Sequence, residues 1–203
     1  MLEGLATAVL AYLIGAIPFG FIAGRLRGVD LRQYGSGKLG ATNVLRTLGT
    51  RTAMVVFATD ILKGVGAAYL GFYLMKGMPG ALAGGLAAML GHNWPLYLGF
   101  RGGRGVLVFL GSFFVLDWRI ALAGGIFGLL VIALSRYASL GSLLGMALGV
   151  VLGLLVWALG GGREPFVFAL AGGSLVVFQH RDNIYRLLSG TERKLGSKAE
   201  KRG

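Results

Sequence analysis

Residues 142–160 read Ser142-Leu-Leu-Gly-Met-Ala-Leu-Gly-Val-Val-Leu-Gly-Leu-Leu-Val-Trp-Ala-Leu-Gly160, nineteen positions without a charged side chain. As a helix rising about 1.5 Å per residue, this run is long enough to cross a hydrocarbon layer of about 30 Å. Working outward, further apolar runs lie near 4–24, 52–75, 80–98, 105–116, 120–135 and 165–180. The fold they predict is an all-α, polytopic integral membrane protein with about seven transmembrane helices. Asp117-Trp118-Arg119 divides the stretch 105–135. Charges are costly at mid-membrane, so a turn at the interface is expected there. Pro18, with Gly15 and Gly20 on either side, predicts a kink in the first span. That span follows Met1-Leu2-Glu3 without a basic leader, and is read as retained.

Composition supports this class. Of 203 residues, 55% are hydrophobic and only 14% charged, against about 25% charged in a soluble globular domain. A soluble fold of this size could not hide so much apolar surface. The 37 glycines suit closely packed membrane helices. With no cysteine, the chain has no disulfide, thiolate nucleophile or cysteine metal site.

The formal net charge is +12. In a soluble protein this would suggest nucleic acid. Here the bases lie between apolar runs, so membrane topology explains them first, and an anionic substrate or leaflet second. No nucleic-acid partner is expected. With seven spans, one side holds sixteen bases: Arg25, Arg27, Arg32, Lys38, Arg46, Arg51, Arg101, Arg104, Arg136 and those from Arg181 to Arg202. The other holds Lys76, Arg119 and Arg163. The positive-inside rule then puts the amino terminus outside and the carboxyl terminus in the cytoplasm. The chain divides into one transmembrane domain, 1–190, and a basic cytoplasmic tail, 191–203, read as solvated because it lacks an apolar face.

Five polar segments fall on the predicted inner face. In Tyr34-Gly-Ser-Gly-Lys-Leu-Gly-Ala-Thr-Asn-Val-Leu-Arg46, Gly37 and Gly40 can expose backbone N–H groups as an anion nest. Ser36, Thr42 and Asn43 add hydrogen-bonding groups, Lys38 and Arg46 charge; Walker A spacing is absent. A flexible loop carrying topological charges has the same composition. The segment Gly91-His-Asn-Trp-Pro95 precedes Arg101-Gly-Gly-Arg-Gly105. Gly102 and Gly103 would let a phosphate approach the backbone beside Arg104, whose guanidinium can grip it through two N–H groups. Asp60 and Lys63 share a helix face inside the second span, either as a functional pair or as a packing ion pair. Ser139 and Ser142 lie in Ser135-Arg-Tyr-Ala-Ser-Leu-Gly-Ser142, where serines also serve as helix caps. His180 and Asn183, three apart, would point the same way from a helix continuing past the last span.

Taken in order, Ser36-Gly-Lys-Leu-Gly-Ala-Thr-Asn-Val-Leu-Arg46, Asp60-Ile-Leu-Lys-Gly64, Gly91-His-Asn-Trp-Pro95, Arg101-Gly-Gly-Arg-Gly105, Ser135 to Ser142 and His180-Arg-Asp-Asn-Ile-Tyr-Arg-Leu-Leu-Ser-Gly-Thr-Glu192 resemble the motifs of the acyl-phosphate:glycerol-3-phosphate acyltransferase family. The resemblance implies an inner-membrane enzyme of bacterial phospholipid synthesis. It would move a fatty acyl group from acyl phosphate to the 1-hydroxyl of glycerol 3-phosphate, releasing lysophosphatidic acid and phosphate. It implies catalytic roles for His180, Asn183, Arg104, Ser36 and Arg46. Substrate contacts are expected from Gly37, Lys38, Gly40, Thr42, Asn43, Lys63, His92, Gly102, Gly103, Ser139 and Ser142. The partners are then the two substrates and the bilayer; no cofactor or metal is expected. The family usually carries lysines in its glycine-rich motif, where this chain has Arg101 and Arg104. Arginine does not deprotonate, so position 104 is read as a phosphate-binding charge and not a proton shuttle. A transporter of organic phosphates or other anions is the alternative, and it should place its polar residues near the bilayer midplane. A non-catalytic scaffold docking through its basic loops would not need the Thr42-Asn43 and His180-Asn183 sets.

Overall fold

The computed structural model describes residues 1–201. Arg202, counted above among the inner bases, and Gly203 lie outside the described residues. Among those described, the regular elements are helical, with one isolated bridge between Tyr34 and Lys201. Four stretches, Leu2–Arg25, Thr50–Leu74, Val106–Ser135 and Ala138–Ala158, are each long and apolar enough to cross a membrane.

The first stretch is α1, Leu2–Ala16, and α2, Phe19–Arg25. They are separated where the residue before Pro18 is driven out of helical geometry: Ile17 has φ −58° and ψ 116°. The expected kink is therefore a break, and the Ile17 carbonyl accepts the Phe19 amide at 3.2 Å in place of a helical i+4 partner. After α3, Ala41–Leu48, the long helix α4, Thr50–Leu74, carries Asp60 and Lys63 near its middle. Helix α5, Met78–Asn93, ends earlier than the apolar run 80–98 suggests. Pro95 cannot donate into a continuing helix, and Leu96–Leu98 forms a short 3-10 turn instead.

Val106–Ser135, α6, is one run of helical residues in name only. Asp117 has φ −156° and ψ 103°. A side chain starting at Gly125 would lie 3.4 Å from Leu110 Cδ1. In a straight helix, residues fifteen apart stand about 22 Å apart. The chain must therefore double back at Asp117, as the charges at 117–119 predicted. The Asp117 carboxylate caps the second half, accepting from the Arg119 amide at 3.0 Å and the Ile120 amide at 3.4 Å. It also pairs with the Arg119 guanidinium at 2.9 Å. Then follow α7, Ala138–Ala158, α8, Glu164–Gln179, and the short α9, Arg181–Leu188.

Small residues set the packing. Gly71 meets the Gly80 backbone, Gly84 meets Ala67, and Gly15 meets Ala88, locking α1, α4 and α5 together. Gly124 and Gly128 of α6 face Gly145 and Gly141 of α7 in the same way. A side chain larger than hydrogen at these positions would run into a neighbouring carbonyl. Where lipid is the solvent there is little hydrophobic gain in joining two apolar helices, so close backbone approach carries the association. Phe109, Phe113 and Phe168 fill the centre with ring centroids 5.1–5.5 Å apart.

Residues 191–201 are solvent-accessible, none of them buried, as expected of a solvated tail, but the segment is tethered and not detached. Its backbone folds onto the bundle: the Leu195 amide donates to Arg136 O at 2.6 Å, the Ala199 amide to Arg46 O at 3.2 Å, and the Gly35 amide to Glu200 O at 2.9 Å. An apolar face is not needed for this, because main-chain hydrogen bonds hold the irregular segment in place.

Candidate active site

A cavity of about 230 Å³ opens where the polar segments converge. Ser36, Lys38, Gly40, Thr42, Asn43, Arg46, His92, Arg104, Ser139, Ser142, His180 and Asn183 all line it. Apart from the carboxylates of Asp60 and Glu192, the rest of its wall is mainly apolar: Phe57, Phe109, Phe113, Ile120 and Met146, with glycines 124, 125, 128, 141, 145 and 149 along the seam of α6 and α7. The sequence reading did not single out this wall, because the glycines that shape it look like ordinary packing residues. Polar mouth and apolar groove form one continuous space.

Which of the lining residues keep free polar atoms decides what each can do. Asn43 is 3% exposed and holds the loop before it. Its Nδ2 donates to the carbonyls of Leu31, Tyr34 and Lys38 at 3.3, 3.1 and 2.9 Å, and its Oδ1 accepts from the Ser36 amide at 3.2 Å. It organises the loop and has little capacity left for a ligand. Ser139 donates to Glu192 Oε1 at 3.0 Å, and Ser142 bonds back to Ala138 O at 2.9 Å. Both hydroxyl protons expected to serve a substrate are thus engaged elsewhere. Arg46 reaches the tail, Nη2 donating to the carbonyls of Arg193 and Lys194 at 2.9 and 3.2 Å. Burial lowers its pKa, as it does that of Lys38, whose Nζ meets Gln179 Oε1 at 3.4 Å.

Arg104 differs. No protein group accepts a hydrogen bond from its guanidinium among the described residues, and its Nε is buried without a partner. Burial pushes its pKa down to about 10, opposed by the Glu192 and Asp182 carboxylates, so it stays charged at neutral pH. An uncommitted, desolvated guanidinium facing a cavity is a strong anion-binding group. His180 has Nδ1 2.8 Å from Val176 O. A carbonyl can only accept, so Nδ1 carries the proton and Nε2 keeps its lone pair in the neutral ring. Asn183 donates to Glu192 Oε1 at 2.6 Å, while its Oδ1 is buried without a partner. Asn183 thus offers an acceptor, suited to orienting a hydroxyl.

Glu192 ties this wall together, and the sequence reading missed it. It accepts from Ser139, Asn183 and, at 2.8 Å, Arg186. Burial raises its pKa, but those three bonds outweigh it and hold the carboxyl below the usual range. The sequence signals were a carboxylate set among tail bases and its place as the last residue of the block His180 to Glu192.

Four expected site residues do not line the main cavity: Gly37, Lys63, Gly102 and Gly103. Lys63 is closed off by Asp60 at 2.8 Å and by Ile17 O at 2.9 Å. Gly102 and Gly103 pack against His92, their amides donating to Asn93 O at 3.2 Å and His92 O at 3.0 Å. Their lack of side chains makes room for His92.

A helical bundle built for the membrane, with a pocket that is cationic at the mouth and apolar within, defines an integral membrane protein suited to a phosphorylated amphiphile. The glycerol-3-phosphate acyltransferase family model matches residues 5–190. A glycerol-3-phosphate acyltransferase of Thermoanaerobacter sp. (strain X514) is 47% identical over 195 residues, 96% of each chain. One of Synechococcus sp. (strain JA-3-3Ab) is 45% identical over 199 residues, covering 97% of this chain and 96% of that one. The crystal structure of PlsY, an integral membrane glycerol 3-phosphate acyltransferase in its glycerol 3-phosphate form, superposes with TM-score 0.87 at 37% identity, over 95% of this chain and 96% of that one. Its lysophosphatidic acid form gives 0.84 at 36% identity, over 96% of both chains. The chain belongs to the glycerol-3-phosphate acyltransferase family.

Proposed function

We propose that this protein transfers a fatty acyl group from acyl phosphate to the 1-hydroxyl of glycerol 3-phosphate, giving lysophosphatidic acid and inorganic phosphate for membrane phospholipid synthesis. The observation that carries the reading is the free Arg104 guanidinium at the polar end of a pocket whose other end is apolar. A phosphate bound at the mouth leaves the groove for an acyl chain, which enters sideways from lipid. Acyl phosphate is a mixed anhydride with a good leaving group, so no covalent enzyme intermediate is required. The glycerol hydroxyl attacks the acyl carbon, and the carbon–oxygen bond to phosphate breaks as the tetrahedral intermediate collapses. His180 Nε2 is available to take the hydroxyl proton, and Asn183 Oδ1 to orient the hydroxyl. Arg104, Lys38 and the loop built around Asn43 neutralise and position phosphate.

The test is a purified-protein assay with acyl phosphate, acyl-CoA or acyl-carrier protein offered singly beside glycerol 3-phosphate. Phosphate release and lysophosphatidic acid formation are expected in equal amounts with acyl phosphate alone. Comparable turnover with acyl-CoA as sole donor would refute the donor assignment.

The proposed topology has seven crossings: the broken first helix, α4, α5, the two halves of α6, α7 and α8. The amino terminus is outside, and the active site and carboxyl terminus are at the cytoplasmic face of the bacterial inner membrane. The reversal at Asp117 supports seven in place of six, because one straight α6 would carry the basic tail to the opposite side. Since the chain has no cysteine, a single cysteine placed at Gly203 reports cleanly. It is expected to stay unlabelled by an impermeant maleimide in intact cells and to react after lysis.

A further inference from the structure

Asp60, Lys63 and His92 form a buried cluster, with side chains 3%, 3% and 9% exposed. We propose that this cluster positions Arg104, a role that rests on reading Arg104 as a substrate phosphate-binding group.

The contacts run in one line across three helices. Lys63 Nζ donates to Ile17 O, at the break before Pro18, at 2.9 Å. It pairs with Asp60 Oδ1 at 2.8 Å, and the same oxygen lies 3.7 Å from His92 Nδ1. His92 in turn grips the turn before Arg104 twice. Its carbonyl accepts the Gly103 amide at 3.0 Å, and its ring occupies the space where a Gly103 side chain would stand. The next carbonyl, Asn93 O, accepts the Gly102 amide at 3.2 Å. The end of α5 is held by Tyr12 Oη donating to Trp94 O at 2.7 Å.

Arg104 itself has no hydrogen-bond partner in the protein among the described residues. Where its guanidinium points therefore depends on its backbone, and that backbone is moulded by His92. Asp60 and His92 also line the main cavity. An unpaired carboxylate there would repel a phosphate, so Lys63 screens Asp60 while fixing it. Charges this deep are expensive and are kept where they are paired and do something specific. The cluster makes use of the break in the first helix, through Ile17 O, and of the two glycines before Arg104, which leave room for His92.

The experiment is a double-mutant cycle on the purified full-length protein, with thermal melting and both substrates varied. His92→Ala alone is expected to lower kcat/KM by about tenfold, carried mainly by KM for one of the two phosphorylated substrates. In an Arg104→Ala background the same change is expected to matter by less than about twofold, because the group it positions is already gone. The second readout uses Gly103→Ala, whose methyl has no room beside the His92 ring. Its effect should shrink in the His92→Ala background. Should His92→Ala fail to fold, the neutral pair Asp60→Asn/Lys63→Met, similar in volume, takes its place in the same cycle. Losses that simply multiply would overturn the proposal and make His92 a direct substrate contact. Unchanged kcat/KM with a lowered melting temperature would overturn it in favour of packing alone. A silent Arg104→Ala would remove the Arg104 reading and this proposal together, while leaving the donor assay to judge the activity.

Discussion

Arg104→Ala is expected to lower turnover of the folded enzyme by about 30- to 1000-fold, which corresponds to about 2–4 kcal/mol of transition-state stabilisation. Among the described residues, the guanidinium is the one cavity-lining cation that no protein group engages, and its Nε is buried. Charge that develops on a phosphate oxygen in a desolvated pocket is then met by a donor already in place, which costs no reorganisation during reaction. Arg104→Lys should keep substantial activity, because a point charge still binds phosphate and no proton transfer is asked of this position. The two variants separate charge from mere topological marking. If Arg104 only signalled the cytoplasmic side, alanine would leave turnover of correctly inserted protein near that of the parent. The measurement is single-substrate saturation with each phosphorylated substrate on purified variants, with insertion verified separately.

Asn43→Ala is expected to reduce kcat/KM by about 10- to 100-fold, since three backbone carbonyls lose their shared donor and each such loss in a buried setting costs about 1–3 kcal/mol before water relieves it. The Leu31, Tyr34 and Lys38 carbonyls all point at Asn43 Nδ2. Without it the loop carrying Ser36 and Lys38 opens, and hydrogen exchange of residues 34–40 should rise. Helical melting should change little, because the loop lies outside the spanning helices. Asn43→Asp gives the sharper result. An aspartate keeps the oxygen that receives the Ser36 amide but turns the donor into a second acceptor facing three carbonyls. It should be no better than alanine. Were Asn43 a substrate ligand acting through its carbonyl oxygen, aspartate would recover part of the activity, and that recovery would move Asn43 from loop organiser to ligand.

Both predictions turn on a distinction that residue types alone do not make. Asn43, Ser139, Ser142 and Lys63 have the right chemistry for a phosphate site, and the sequence could nominate them only by type and neighbourhood. The structure shows their donors already engaged, by Leu31 and Lys38, by Glu192, by Ala138, and by Asp60 and Ile17. Arg104 keeps its donors, and His180 keeps an acceptor, Nε2. The difference is set by neighbours far away in the chain, such as Glu192 beside Ser139 or Ile17 beside Lys63.

What the sequence determined by itself was the solvent. Long uncharged runs require helices in lipid, because backbone polar groups there must be satisfied within the segment. Asp117-Trp-Arg119 marked the reversal inside α6, and Pro18 marked the break in the first helix, both through local effects on charge burial and backbone geometry. The converging polar blocks likewise located the pocket. Tertiary structure alone decided the tail, which carries no apolar pattern and is held by main-chain bonds to Arg136, Arg46 and Gly35. It also decided the purpose of the glycines. Gly102 and Gly103 make room for His92, while Gly124 and Gly128 admit the backbone of α7. Glycine tells a reader only that a side chain is missing; what occupies the vacated space depends on which segment folds against it.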